Sequence, residues 1–358
     1  MKIISAKAWL KSLPLTRPYT IAYKTIAATE IVFLELTLEN GLTGIGASNP
    51  FAQVVGETPA LTIANLESGY LDEILGKDIR EFNRLIDEAA LRFPKLPGTL
   101  AAIDIALHDL FGRFLGIPVY DFYGRKMDAL PTSVTIGIKE ADEMLEDAAA
   151  YYKQGFRILK IKTGIDPEAD IERVRRLSEQ FSRKMIIRVD ANQGYTLEEL
   201  RTFIRETRSL NLELIEQPLK KGQELQLTGL AAEDRKMLVA DESLLDAGSA
   251  WSLSMPPQPF GVYNIKLMKS GGIKGALDIA RIARAAGIDI FWGCNDESIV
   301  GITAALHAAY SSSNTKYLDL DGSFDLAEDL AEGGFELREG YLYALGQPGL
   351  GVKWTGKG

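Results

Sequence analysis

The chain has 358 residues, 46% hydrophobic and 25% charged, enough for a sizeable core in one large domain or two. Its formal net charge of -9 argues against a non-specific binder of nucleic-acid backbones, which needs clustered Lys and Arg. The single cysteine, Cys294, makes no internal disulfide, the N-terminus lacks an apolar signal segment, and no run of about 18 apolar residues follows, so a cytoplasmic enzyme with no membrane partner is expected.

From Lys2 to Leu13 and from Glu30 to Leu38 the chain is rich in β-branched and apolar residues. Asn40-Gly41 then predicts a hairpin into a third strand, Leu42 to Ala47. A helical stretch is expected from about 60 to 91. A second runs from Thr99 to Leu115, where Ala102, Ile105, Ala106, Asp109 and Leu110 recur at helical spacing before Gly116 and Pro118 stop it. Residues 1–125 read as an α+β domain.

Beyond it, apolar β-rich runs end at Ile138, Lys162, Asp190, Glu216, Asp241, Lys266, Gly293 and Asp321, at steps of 24 to 28 residues by subtraction. Each of the first seven precedes a segment with helical spacing. Eight strands alternating with helices predict an α/β barrel, a modified (β/α)7β TIM barrel over 126–323, with the α+β N-terminal domain as its cap. The Gly-rich segment 324–358, containing Pro348-Gly349-Leu350-Gly351, is expected to fold back over the first domain.

Barrel active sites lie at the C-terminal ends of the strands, which places Lys162, Asp190, Glu216, Asp241 and Lys266 there on five successive strands. Taken singly, each could be the solvated start of a loop. Three carboxylates converging from adjacent strands repel one another unless a cation sits among them. Hard oxygen donors with no His or Cys nearby in sequence select Mg²⁺, with Mn²⁺ as a substitute, over zinc. A surface calcium site or a plain acidic rim is the alternative.

Lys160 and Lys162 are two apart on a strand, so both face the barrel interior while Ile161 faces the helices. Two ammoniums buried together are expected to lower each other's pKa, leaving one neutral and able to act as a general base. Lys266 comes from the sixth strand, across the barrel from the second. A substrate between them has one base on each face, which permits inversion of a stereocentre. The alternative is that these lysines merely neutralise the three acids. Both histidines, His108 and His307, fall in helical segments, which argues against a His base.

The set Lys160-Ile161-Lys162, Asp190-Ala191-Asn192, Glu216-Gln217-Pro218, Asp241-Glu242-Ser243 and Asn264-Ile265-Lys266 resembles the signature of the enolase superfamily in its muconate-lactonising subgroup. The likeness covers nearly the whole chain. It implies Asp190, Glu216 and Asp241 as magnesium ligands, Lys162 and Lys266 as the acid/base pair, Lys160 as electrostatic support, and chemistry through an enediolate.

On the eighth strand Asp319 and Asp321 share the interior face, and two carboxylates at the mouth form a cation receptor unless they are an acidic loop in water. The pair resembles the Asp-x-Asp feature with which dipeptide epimerases bind the substrate's α-ammonium group. That resemblance implies inversion at the C-terminal residue of a small dipeptide substrate. Muconate cycloisomerase, o-succinylbenzoate synthase, N-acylamino acid racemase or a catalytically silent barrel are the alternatives.

Further substrate contacts are expected from Thr135, Cys294, Asp296 and Lys24, the last in a run, Pro18 to Thr25, that looks like the family's mobile capping loop. Epimerases specific for Ala-Glu tend to have arginine where Lys24 stands, and Asp296 would repel a Glu side chain. The family's Gly-x-Gly-Glu also reads Gly44-Ile45-Gly46-Ala47 here. Ala-Xaa dipeptides with small or apolar Xaa are therefore expected over Ala-Glu, with Asp296 leaving a basic or hydroxylated side chain open. A homo-oligomer is expected.

Overall fold

The computed structural model describes residues 1–21, 24–181 and 183–355. The N-terminal strands Ile3–Ile21, Lys24–Leu38 and Thr43–Ser48 form an antiparallel sheet. The first two run further than their apolar cores predict, because backbone pairing continues to Ile21 and Lys24. Of the expected capping loop, residues 19–21 and 24–25 are thus paired as strand. Residues 22 and 23 and the side chain of Lys24 lie outside the described residues.

One face of this sheet, with Val32, Leu34, Leu36 and Leu38, packs on the helix Pro97–Leu115 through Ala102, Ala106 and Leu110, all fully buried. Gly44 and Gly46 are what let the two elements approach. A Cβ on Gly46 would stand 2.0 Å from the Ala102 carbonyl oxygen and 2.9 Å from the Ala106 Cβ, and one on Gly44 2.5 Å from the Leu110 Cβ. Backbone cannot yield as a side-chain tip can. Gly46→Ala is therefore expected to cost at least about 1–3 kcal/mol, read as a lower urea midpoint; an unchanged midpoint would contradict this account of the cap.

The helical stretch expected from 60 to 91 is broken into Pro59–Asn65, a π turn Leu66–Tyr70, Leu71–Glu73, a 3₁₀ turn and Phe82–Arg92. Gly69 and Gly76 take positive φ, 97° and 77°, and interrupt the helix. The break lets the chain meet the sheet edge, where Ile3 N donates to Lys77 O and Gly76 N to Ile3 O.

Eight parallel strands follow in sequential order: Val134–Ile136, Ile158–Lys162, Ile186–Asp190, Leu212–Glu216, Leu238–Ala240, Val262–Ile265, Asp289–Gly293 and Thr315–Asp319. The barrel closes between Thr132 and Leu318, where Ser133 N donates to Leu318 O at 3.1 Å. Leu214, Val239, Val262, Phe291 and Tyr317 fill the interior as an apolar floor. The Arg188 guanidinium stacks 5.1 Å from the ring centroids of Phe291 and Tyr317. Lys162, Asp190, Glu216, Asp241 and Lys266 lie at or just past the C-terminal ends of their strands.

The helix Pro97–Leu115 ties cap, barrel and tail together through two fully buried carboxylates. Asp104 accepts from Ile273 N at 2.6 Å and Lys274 N at 3.2 Å, capping the barrel helix Ile273–Ala285. Asp109 accepts from Ile45 N in the sheet, Leu350 N in the C-terminal segment and Arg113 Nε. That segment also packs Trp354 against the cap, tilted on Trp9 and edge-on to Phe33. Among the described residues no helix is long and apolar enough to cross a membrane.

Candidate active site

Strand register brings the site together. Lys162 lies beside Asp190 and Asp190 beside Glu216 on neighbouring strands, while Asp241 and Lys266 follow directly on the fifth and sixth strands. Lys160 Nζ is 2.8 Å from Glu216, 2.8 Å from Asp319 and 3.3 Å from Asp190. Lys162 Nζ is 2.7 Å from Asp190 Oδ2, and Lys266 Nζ 2.9 Å from Asp241 Oδ2. The side chains of Lys162 and Lys266 are 14% and 13% exposed and that of Lys160, at the cavity's base, only 4%, so of these three the first two are the more accessible from the cavity.

Electrostatics correct one expectation. The sequence implied that crowding would lower the lysine pKa values, but the carboxylates outnumber the ammoniums around them. Burial pulls Lys160 down, yet Asp319, Glu216 and Asp190 outweigh it and hold Lys160 well above the usual lysine value. Lys266 is raised likewise, by Asp241 against burial. On the acid side, burial pushes Asp190 up, but Lys162 and Lys160 hold it down at about 2. Asp241 is held below the usual range against burial by Lys266 and Lys269. Glu216 goes the other way, raised to about 8 by burial and then by Asp190, against Lys160.

The donor set fits a divalent cation. Among the described residues no three acidic or His/Cys side chains already share one ion position, because each of Asp190, Glu216 and Asp241 leans on an ammonium. Those ammoniums do not satisfy the cluster. Glu216 Oε2 makes no hydrogen bond of acceptable geometry although Lys160 is within 2.8 Å, and Glu242 Oε2 and Asn192 Oδ1 are buried without partners. Burial, then Asp241 and Asp190, raise the neighbouring Glu242 to about 7. Unsatisfied buried acceptors, all hard oxygens, suit Mg²⁺.

The other expected residues fall as follows. Asp319 is buried and accepts from Ser133 Oγ at 2.6 Å as well as from Lys160. Asp321 Oδ2 accepts from Thr135 N at 2.7 Å, which gives Thr135 a backbone contact at the site. Burial, then Asp319 and Asp325, push Asp321 up to about 7. Cys294 Sγ donates to Asp319 O at 3.2 Å, and burial raises its thiol well above the ordinary value. Asp296 lines the cavity on a loop pinned to the cap, its carbonyl accepting from Asn49 Nδ2 and Thr29 Oγ1. The Lys24 side chain is outside the described residues.

Three residues that shape the site were given no role from the sequence. Gln217 Oε1 accepts from Asp241 N and Ser243 N, at 3.0 and 3.1 Å. Asn264 Nδ2 donates to Glu216 Oε1 at 2.7 Å, in space kept open because Gly293 has no Cβ. Lys269 donates to Asp241 and Asn264. Two of the three stood inside quoted motifs, and Lys269 stood three residues after Lys266, which is a findable spacing on a helix that starts at a strand end. The cavity above them measures about 530 Å³ and is bounded by barrel loops, residues 49–54 and the cap sheet, a size suited to a small-molecule ligand.

Comparison with known proteins agrees with this geometry. Residues 4–124 match the mandelate racemase / muconate lactonizing enzyme N-terminal domain, and residues 143–357 the enolase C-terminal domain-like family. The chain is 51% identical to an L-Lys-D/L-Arg epimerase of Desulforapulum autotrophicum over 353 residues, 99% of each chain. A crystal structure of a dipeptide epimerase from Methylococcus capsulatus, complexed with Mg and the dipeptide L-Arg-D-Lys, superposes with TM-score 0.97 at 46% identity, covering 99% of this chain and 100% of that one. The substrate-liganded L-Ala-D/L-Glu epimerase of Bacillus subtilis superposes with TM-score 0.92 at 31% identity, covering 98% and 99%. The chain belongs to the mandelate racemase / muconate lactonizing enzyme family of the enolase superfamily.

Proposed function

We propose that this protein is a Mg²⁺-dependent dipeptide epimerase that inverts the α-carbon of the C-terminal residue and prefers dipeptides with cationic side chains. The observation that carries the reaction is the pair of partly exposed lysines, Lys162 and Lys266, at the ends of the second strand and just past the sixth, lining one cavity. Asp190, Glu216 and Asp241 would hold Mg²⁺, which would supply positive charge for the substrate carboxylate and for the charge that builds on it as the α-proton leaves. With Asp190 and Asp241 committed to a cation, Lys162 and Lys266 would lose the carboxylates that favour their charged forms, so that one could take the α-proton on one face while the other gives a proton on the other. Lys160 stays in place beneath them, hydrogen-bonded to Asp319 and ion-paired with Glu216 and Asp190. Asp321, poised near neutrality, is the carboxyl that gains most from a substrate ammonium, while Asp319 is held by Ser133 and Lys160.

The cationic preference replaces the small or apolar one expected from sequence. Among the described residues the cavity is lined by eight carboxyl groups, including Glu30, Asp147, Asp296 and Asp325 from outside the barrel strands, against four lysines, Lys139, Lys160, Lys162 and Lys266, of which Lys139 is paired with Asp147 at 2.5 Å. Such a surplus of negative charge attracts Lys and Arg side chains and repels Glu. The names of the relatives from Desulforapulum autotrophicum and Methylococcus capsulatus support the same reading. We expect kcat/KM for L-Arg-L-Lys or L-Lys-L-Arg to exceed that for L-Ala-L-Ala and L-Ala-L-Glu by at least about tenfold, and Asp296→Asn to narrow the gap. N-acetylated dipeptides should be poor substrates. A preference for Ala-Ala would overturn the side-chain reading alone, and equal use of N-acetylated forms would remove the ammonium contact.

A further inference from the structure

Lys269 is a fourth lysine at the site, buried like Lys160, and the proposed proton chemistry does not use it. It sits in the short helix Leu267–Ser270 that follows Lys266, is 5% exposed, and does not line the main cavity. An ammonium has three donors, and here all three are taken: by Asp241 O at 2.6 Å, by Asp241 Oδ1, and by Asn264 O at 3.1 Å. Its place in the fold explains the arrangement. The fifth and sixth strands pair only as far as Ala240 and Tyr263, and the carbonyls of Asp241 and Asn264 beyond that point share Lys269 as their common donor. From the other side Gln217 holds the Asp241 N–H. The N–H, C=O and Oδ1 of Asp241 are thus all fixed, and Oδ2 remains, 2.9 Å from Lys266.

We propose that Lys269 is a positioning residue for the metal site: by clamping the carbonyl and Oδ1 of Asp241, it presents Oδ2 as the one oxygen this carboxylate offers. The inference rests on the reading of Asp241 as a Mg²⁺ ligand. Two effects oppose each other when Lys269 is removed. It is a positive charge beside a cation site, so by charge alone its loss strengthens Mg²⁺ binding. Its loss also frees Asp241 to turn, and residues that orient metal ligands are worth about 10- to 100-fold in affinity. A purely electrostatic role and a positioning role therefore predict opposite signs.

The test is calorimetric titration of Mg²⁺ into the full-length wild type and into Lys269→Met, with circular dichroism to confirm folding. The expected result is a dissociation constant raised about 10- to 100-fold in Lys269→Met, with Lys269→Gln, whose amide keeps a donor for Asp241, between the two. Equal or tighter binding by Lys269→Met overturns the proposal. A wild type that takes up no Mg²⁺ overturns instead the metal reading on which it rests. If neither variant folds, a crystal structure of the Mg²⁺-loaded wild type decides: Lys269 still bonded to Asp241 and Asn264 supports the proposal, and Lys269 turned away from Asp241 overturns it.

Discussion

Lys266→Ala is expected to stop epimerisation in both directions, with kcat/KM down by about 10²–10⁴-fold or more, and Lys162→Ala to do the same. Inversion needs one group to remove the proton and another, on the opposite face, to return one. Losing either breaks both directions, but the surviving lysine still reaches its own face. Each variant should therefore exchange the α-proton of one epimer with solvent and leave the other epimer untouched, the two variants showing opposite choices. Lys160→Ala should differ, because Lys160 is buried against three carboxylates and does its work there. Normal epimerisation by Lys266→Ala, measured by polarimetry, would show that this residue does not face the reacting carbon.

Glu216→Gln is expected to abolish Mg²⁺ dependence together with activity, lowering kcat by about 10²–10³-fold or more, while leaving the metal-free protein close to its normal stability. The reasoning turns on which acid is replaced. Burial and then Asp190 push Glu216 up to about 8 while Asp190 and Asp241 are held down, so of the three acids it is the one whose replacement by a neutral amide disturbs the metal-free cluster least. Asp241→Asn should also destroy activity, but at a stability cost, because it strips Lys266 and Lys269 of the carboxylate that compensates them. Excess chelator should silence the wild type reversibly. Full activity in chelator, or a Glu216→Gln enzyme that still binds Mg²⁺ normally, would contradict the assignment.

The barrel was legible because its period is coarse and its strands are apolar. Runs ending at Lys162, Asp190 and Glu216 coincide with observed strand ends, and Asp241 and Lys266 stand one residue beyond theirs. The alternation rule sent Lys160 and Lys162 inward and fully buried Ile161 outward. What spacing could not reveal was the balance of charge. Lowered lysine pKa values follow from two lysines considered alone, whereas Lys160 is surrounded by Asp190, Glu216 and Asp319, contributed by three other strands.

The side-chain preference was less legible for the same reason. In the sequence Asp296 stands as a single carboxylate that would repel Glu, but the cavity also gathers Glu30 from the cap, Asp147 from the first barrel helix and Asp325 from the tail. No local pattern links positions so far apart. The broken helix between 60 and 91 is a different case: Gly69 and Gly76 were visible, and their positive φ is the conformation glycine permits.

The central claim is proton removal at one carbon of a cationic dipeptide, and one measurement reaches it directly. L-Arg-L-Lys would be incubated in D₂O with enzyme and Mg²⁺, then resolved chromatographically and sequenced by tandem mass spectrometry. The account predicts deuterium at the α-carbon of the C-terminal lysine, none at that of the arginine, and accumulation of L-Arg-D-Lys. Peptide recovered unlabelled and unepimerised across a library of cationic, neutral and acidic dipeptides, or deuterium at the N-terminal residue, would contradict it.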